Sequence, residues 1–156
     1  MQNIQERGII VLGGGVVDEN ISGGISGALN PNSAEAQKHA DLYYNEIRNR
    51  RSDVATIAKN TGFSVESIQE VKDHLFFNYI CFADGTIKRF DSDYEQAQAW
   101  QRLISGKFLD NDIIFLNHEL EELRYMRDNN AVYEIAHKKA NEKYNWGNLI
   151  SEKGAD

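Results

Sequence analysis

Residues 57–75 read IAKNTGFSVESIQEVKDHL, and their punctuation predicts two short helices joined by a tight turn. Ala58 is small enough for two helices to cross, Gly62 supplies the turn four residues later, and Ile68 returns an apolar side chain six beyond that. Ser64 is placed to cap the second helix. The spacing is that of a helix-turn-helix, but its second helix, Ser64 to His74, carries Glu66, Glu70 and Asp73 against Lys72 alone. A major-groove helix must approach two rows of phosphates, so the pattern predicts a packing hairpin rather than a DNA reader.

Upstream, Asn32 with Glu35 reads as a capping pair for a helix whose inner face is Ala36, Ala40, Tyr43, Tyr44 and Ile47. It ends in Arg48, Arg50 and Arg51, where basic residues suit the negative end of the helix dipole; Arg48 is also a candidate for holding an anionic substrate. His39 lies on this helix as an isolated imidazole. Residues 1–31 form a different compositional region. Seven of the twelve glycines fall between Gly8 and Gly27, which reads as a flexible leader joined to a folded module of residues 32–156. Asp18 stands at the third position of a dinucleotide-binding turn, and no small-residue cleavage site follows the apolar run, so neither a Rossmann site nor a signal peptide is expected.

Downstream, NYICFADGTIKRF places Asp84-Gly85 between aromatic and β-branched runs, a tight β-hairpin of Tyr79–Phe82 with Thr86–Phe90. Ser92 and Glu95 then read as a capping box for a helix bearing Ala97, Trp100, Leu103 and Ile104 and stopped at Gly106. Arg89, near Asp91, is a second candidate for anion contact. The class expected is mainly α (α+β): five to six helices with one small hairpin near residues 79–90. An excess of 24 acidic over 17 basic residues, net −7, excludes a generic nucleic-acid coat but not a small site working through local contacts or a metal. The single cysteine, Cys81, excludes an internal disulfide and a four-cysteine zinc knuckle, and no apolar run is long enough to span a membrane.

The chemistry concentrates in the last two predicted helices. DIIFLNHELEELRYMRD, capped by Asp110 or Asn111, has an apolar stripe of Ile113, Leu116, Leu120 and Leu123, with His118, Glu119 and Glu122 on a second face. His118 and Glu122 are one turn apart and can reach a single point, while Glu119 can act as a base on a bound water. The order is H-E-x-x-E, the zinc-peptidase motif with its second His replaced by Glu. In the final helix, capped near Asn129 or Asn130, His137 sits mid-stripe between Ala136 and Ala140, aimed at the preceding helix. His118, Glu122 and His137 are therefore candidate ligands for a divalent metal, zinc or magnesium, or else a metal-free acid-base set. His74, at the end of the second short helix, is a further acid-base candidate.

The blocks ALNPNS, HADLYYNEIRN, IAKNTGFSVESIQEVKDHLF, KRFDSDYEQAQAWQRLISG, DIIFLNHELEELRYM and YEIAHKKANEKYNW, in that order, resemble a module at the C-terminal end of bacterial polymorphic toxins and phage MuF-type minor head proteins. The resemblance covers nearly all of residues 32–156. It implies an effector domain released from a larger delivery protein, acting in the cytoplasm of a target cell and countered by a cognate immunity protein. The resemblance carries no reaction with it; an intracellular hydrolase is the expectation for such a warhead, a nuclease before a peptidase because nucleases dominate toxin warheads in general. The H-E-x-x-E order points instead to a zincin-like metallopeptidase, and the helix-turn-helix to a non-enzymatic binding module.

Overall fold

In the computed structural model, which describes residues 33–146, helix α1 (Ala34–Asn49) starts where the Ser33 hydroxyl accepts the backbone N–H of Ala36 at 3.0 Å. The cap is thus Ser33, one residue later than the expected Asn32, which lies outside the described residues together with the Gly-rich leader. The five expected inner-face residues of α1 are all buried.

Helices α2 (Asp53–Thr61) and α3 (Val65–Lys72) form the hairpin that the Ala-Gly-Ile spacing predicts. Gly62 takes φ of 85°, a left-handed conformation costly for any side chain, and donates its N–H to the Ala58 carbonyl. Ser64 accepts the N–H of Ser67. Lys72 is buried rather than displayed: its ammonium donates to Asp53 at 2.8 Å and to the Arg50 carbonyl, and the other Asp53 oxygen accepts from the Trp100 indole at 3.1 Å. The one base of the would-be recognition helix therefore belongs to the interior.

Beyond α3 the helix widens into a π turn, Asp73–Phe77. Arg48 donates to the Phe76 carbonyl and Arg89 to the Phe77 carbonyl, so both bases close the end of this turn. Strands β1 (Ile80–Cys81) and β2 (Ile87–Lys88) pair antiparallel, with Ile80 opposite Lys88 and Cys81 opposite Ile87. The connection is wider than a two-residue turn: Gly85 donates back to Phe82 and sits at φ 91°, and Phe82 donates to Thr86. The strands are shorter than expected, two residues each.

Helix α4 (Tyr94–Ser105) is capped by Asp93, which accepts the N–H of Gln96 at 2.9 Å, and not by Ser92; it stops at Gly106 as predicted. Asn60 of α2 donates to the Leu103 and Ile104 carbonyls at its end. Helix α5 (Asp110–Asn129) starts after Leu109, whose N–H is accepted by Asp112. Asp112, not Asp110 or Asn111, is thus the side chain that closes this terminus, and it also takes both arms of Arg102 at 2.8 Å. Asn130 ends α5 at φ 50° and does not cap the next helix; α6 (Tyr133–Lys143) begins after Val132 and folds back along α5, with Lys143 near Glu121. The described chain is a mainly α module of six helices and one small hairpin. Its core gathers Tyr44, Phe76, Trp100 and Phe115, with Phe76 edge-on to Tyr44 and Trp100 at 4.7 and 5.3 Å.

Candidate metal centre

The buried face of α5 is not the apolar stripe that periodicity suggests. Ile113 and Leu123 are half-buried, while Phe115, His118, Glu119 and Glu122 face inward with Leu116 and Leu120. The polar residues occupy the interior because two other elements bring imidazoles to meet them. The π turn contributes His74, itself buried, and α6 contributes His137, which is half-exposed between buried Ala136 and Ala140 rather than aimed wholly inward.

Glu122 is the centre of the set. One of its oxygens, Oε1, lies 2.8 Å from His74 Nε2. The other, Oε2, lies 2.8 Å from His137 Nδ1 and 3.3 Å from His118 Nε2, and those two nitrogens are 3.2 Å apart. His118 Nδ1 donates to the Tyr144 carbonyl at 2.9 Å. A carbonyl can only accept, so the proton of a neutral His118 is on Nδ1 and Nε2 offers a lone pair to the cluster. Such a carbonyl partner is the usual way a ligating His is held in orientation. Glu119 is buried beside it, with its oxygens 3.7 Å from His74 Nε2 and 3.9 Å from His118 Nε2, both beyond hydrogen-bond length.

Two carboxyls in one interior site do not titrate alike. Burial pushes Glu119 well above the ordinary carboxyl range, and the negative charges of Glu122 and Asp93 push the same way. Burial also acts to raise Glu122, but the close approach of the His118, His137 and His74 imidazoles outweighs it and holds that carboxyl well below the ordinary range. Tyr133, stacked on His137 at 5.1 Å, is held neutral by burial and by Glu122 and Glu119.

The cluster is at the wall of a cavity of about 380 Å³, within the range of small-ligand sites. His118, Glu119, Glu122 and His137 line it together with Phe82, Phe90 and Tyr133, whose rings pack on one another at 5.2 to 6.0 Å. Lys88 and Asp91 line it from the hairpin and its exit, paired with each other at 3.3 Å. Neither Arg89 nor Arg48 is among the cavity-lining residues, since both serve the π turn; His39 stacks on Tyr43 at 6.0 Å on α1.

His118, Glu122 and His137 thus form a group able to hold a metal ion, and His74, Glu119 and Glu122 form another. The residues that sequence reading missed are the Tyr144 carbonyl, Tyr133, Phe90 and Asp93. Only Tyr133 gave a signal, one turn before His137 on the same face. No protein-family model, curated protein or solved structure matches this chain.

Proposed function

We propose that the module is a divalent-metal hydrolase whose substrate is a nucleic-acid phosphodiester. The observation that carries the metal reading is the triangle formed by His118 Nε2, His137 Nδ1 and Glu122 Oε2, with edges of 2.8, 3.2 and 3.3 Å. Ligands about 2.0–2.1 Å from one ion stand roughly 3.0 Å apart in an octahedron and roughly 3.3 Å apart in a tetrahedron. The triangle matches that spacing, and it leaves the cavity side of an ion open. Two imidazoles with one carboxylate favour zinc over magnesium, which prefers oxygen. Bound there, the ion supplies Lewis acidity to the scissile group and to water. Glu122 and the two imidazoles orient it, and the Tyr144 carbonyl fixes the ring of His118.

Support for a phosphodiester comes from the rest of the cavity lining, where Phe82, Phe90 and Tyr133 offer ring surface for bases and Lys88 a cation for phosphate. The resemblance to polymorphic toxin and MuF-type modules carries no reaction of its own; it supports delivery by a larger protein into a target cytoplasm, with an immunity protein as partner, and nucleases are the commonest warheads of such toxins. A metallopeptidase is the second reading, favoured by the order His118-Glu119-x-x-Glu122 with His137 across the helix pair. An extended peptide needs a long strand edge or groove, and the described strands are two residues each.

The test is incubation of the metal-stripped full chain, with zinc, manganese or magnesium restored, against labelled RNA, labelled DNA and denatured casein. Cleavage of nucleic acid, abolished by chelation and lowered more than about 100-fold in His137→Ala, is the expected result. Casein cleavage alone establishes the second reading. Hydrolysis of none of the three overturns both.

A further inference from the structure

Glu122 uses its two oxygens on different sides. Oε2 belongs to the triangle with His118 and His137, whereas Oε1 faces His74 Nε2 at 2.8 Å. On that second side stands Glu119, buried, with one oxygen 3.7 Å from His74 Nε2 and the other 3.9 Å from His118 Nε2. Both are too long for hydrogen bonds, and the 3.7 Å between His74 and Glu119 is close to the span of two ligand bonds of about 2.1 Å meeting at an open angle. The donor atoms of His74, Glu119 and Glu122 all lie within 4.8 Å of one another. We propose that His74, Glu119 and Oε1 of Glu122 hold a second divalent cation, so that Glu122 bridges two ions.

This inference rests on the metal reading above and deepens it. Its first support is donor chemistry. The His118–His137–Glu122 set has two nitrogens and one oxygen, whereas the second has one nitrogen and two oxygens, a set for a harder ion such as manganese or magnesium. A second support is reaction geometry: two ions about 3.5–4 Å apart can clamp the attacking and leaving oxygens of an in-line displacement. A third support is the backbone. His74 reaches Glu122 from a π turn, a local widening frequent at functional sites.

The experiment titrates the metal-stripped full chain with manganese, reading ion stoichiometry by mass spectrometry and spin coupling by electron paramagnetic resonance. Two manganese ions per chain with an exchange-coupled spectrum are expected. Glu119→Gln and His74→Gln should each bind one ion and give the spectrum of an isolated centre, while circular dichroism shows each variant folded. One ion per wild-type chain overturns the bridged pair and leaves the single-metal reading standing. Two ions retained in both variants place the second elsewhere and also overturn it. No binding at all overturns both proposals.

Discussion

Asp53 with Lys72 and the group around Glu122 are both buried and charged, yet they are constructed differently. In the first, one anion meets one cation, and the partners are all protein: Asp53 accepts from Lys72, from its neighbour Val54 and from Trp100, and Lys72 also donates to Arg50. The second has two carboxyls and three imidazoles, with contacts of 3.7 and 3.9 Å that no hydrogen bond spans, and it borders a cavity. A closed pair fixes how α2, α3 and α4 sit together. An open group keeps its ligand atoms available, and that difference separates a fold-making charge from a chemistry-bearing one.

The largest effect expected from breaking this contrast is in the closed pair. Lys72→Met leaves a buried aspartate without its cation and should cost about 3–5 kcal/mol, read by urea unfolding, with metal stoichiometry unchanged in whatever fraction stays folded. Adding Asp53→Leu should return much of that loss, since an apolar pair can replace a buried ionic one. If the single variant unfolds no more easily than wild type, the pair is not structural.

Next in size, expression of the chain in bacterial cytoplasm should slow growth if the proposed activity is right, and His118→Ala should remove both that defect and in vitro cleavage. Because His118 is buried rather than set off the core, the variant also loses stability, by about 1–3 kcal/mol for the unpaired groups it leaves. His137→Ala, half-exposed, should lose the same activity with a smaller drop in melting temperature. A growth defect undiminished in both variants would falsify the site.

A smaller effect of opposite sign sharpens the contrast. In metal-free protein, Glu119 has a folded-state carboxyl value raised by burial and by the charge on Glu122. The stability it contributes is present below the unfolded carboxyl value, about 4.3, and is lost as pH rises from there through the raised folded value. Glu119→Gln removes that loss, so the metal-free variant should melt higher than wild type at neutral pH, and the gain should shrink as pH falls toward 4. Glu122 behaves oppositely: its depressed value contributes stability above about 4.3 that is lost in acid. An unchanged melting curve for Glu119→Gln at neutral pH would mean that Glu119 carries no such cost. The smallest effect is at Lys88, exposed and paired with Asp91. Lys88→Ala should shift stability by no more than about 0.5 kcal/mol while weakening oligonucleotide cleavage at low salt, the difference fading as salt is added.

The helix hairpin and α4 were legible because their ends carry punctuation that chemistry enforces. Gly62 and Gly106 both end helices at positive φ, and Ser64 caps where its hydroxyl reaches Ser67. Start sites were less legible because Ser33 and Asp93 compete with adjacent polar residues that have equal capping chemistry, and only the path of the chain decides between them. The buried face of α5 was misassigned for a related reason. Periodicity weights Ile113 and Leu123 above His118 and Glu122, but imidazoles arriving from the π turn and from α6 allow the polar face to be interior. His118, Glu122 and His137 were readable from i, i+4 spacing and an interior His on the following helix. The Tyr144 carbonyl was not, because a backbone acceptor leaves no side-chain signature.

The π turn at Asp73–Phe77 is also a statement about insertion. Such a turn holds one residue more than an α-helix needs over the same span. Deleting a single codon there rotates the downstream chain by about 100° relative to Ile68 and Val71, which lie in the core. Either His74 then leaves Glu122, or the carbonyls of Phe76 and Phe77 leave Arg48 and Arg89. One extra residue lets the same helix end satisfy both appointments. An ordinary packing hairpin and a hairpin that delivers an imidazole to a shared carboxylate thus differ by one codon.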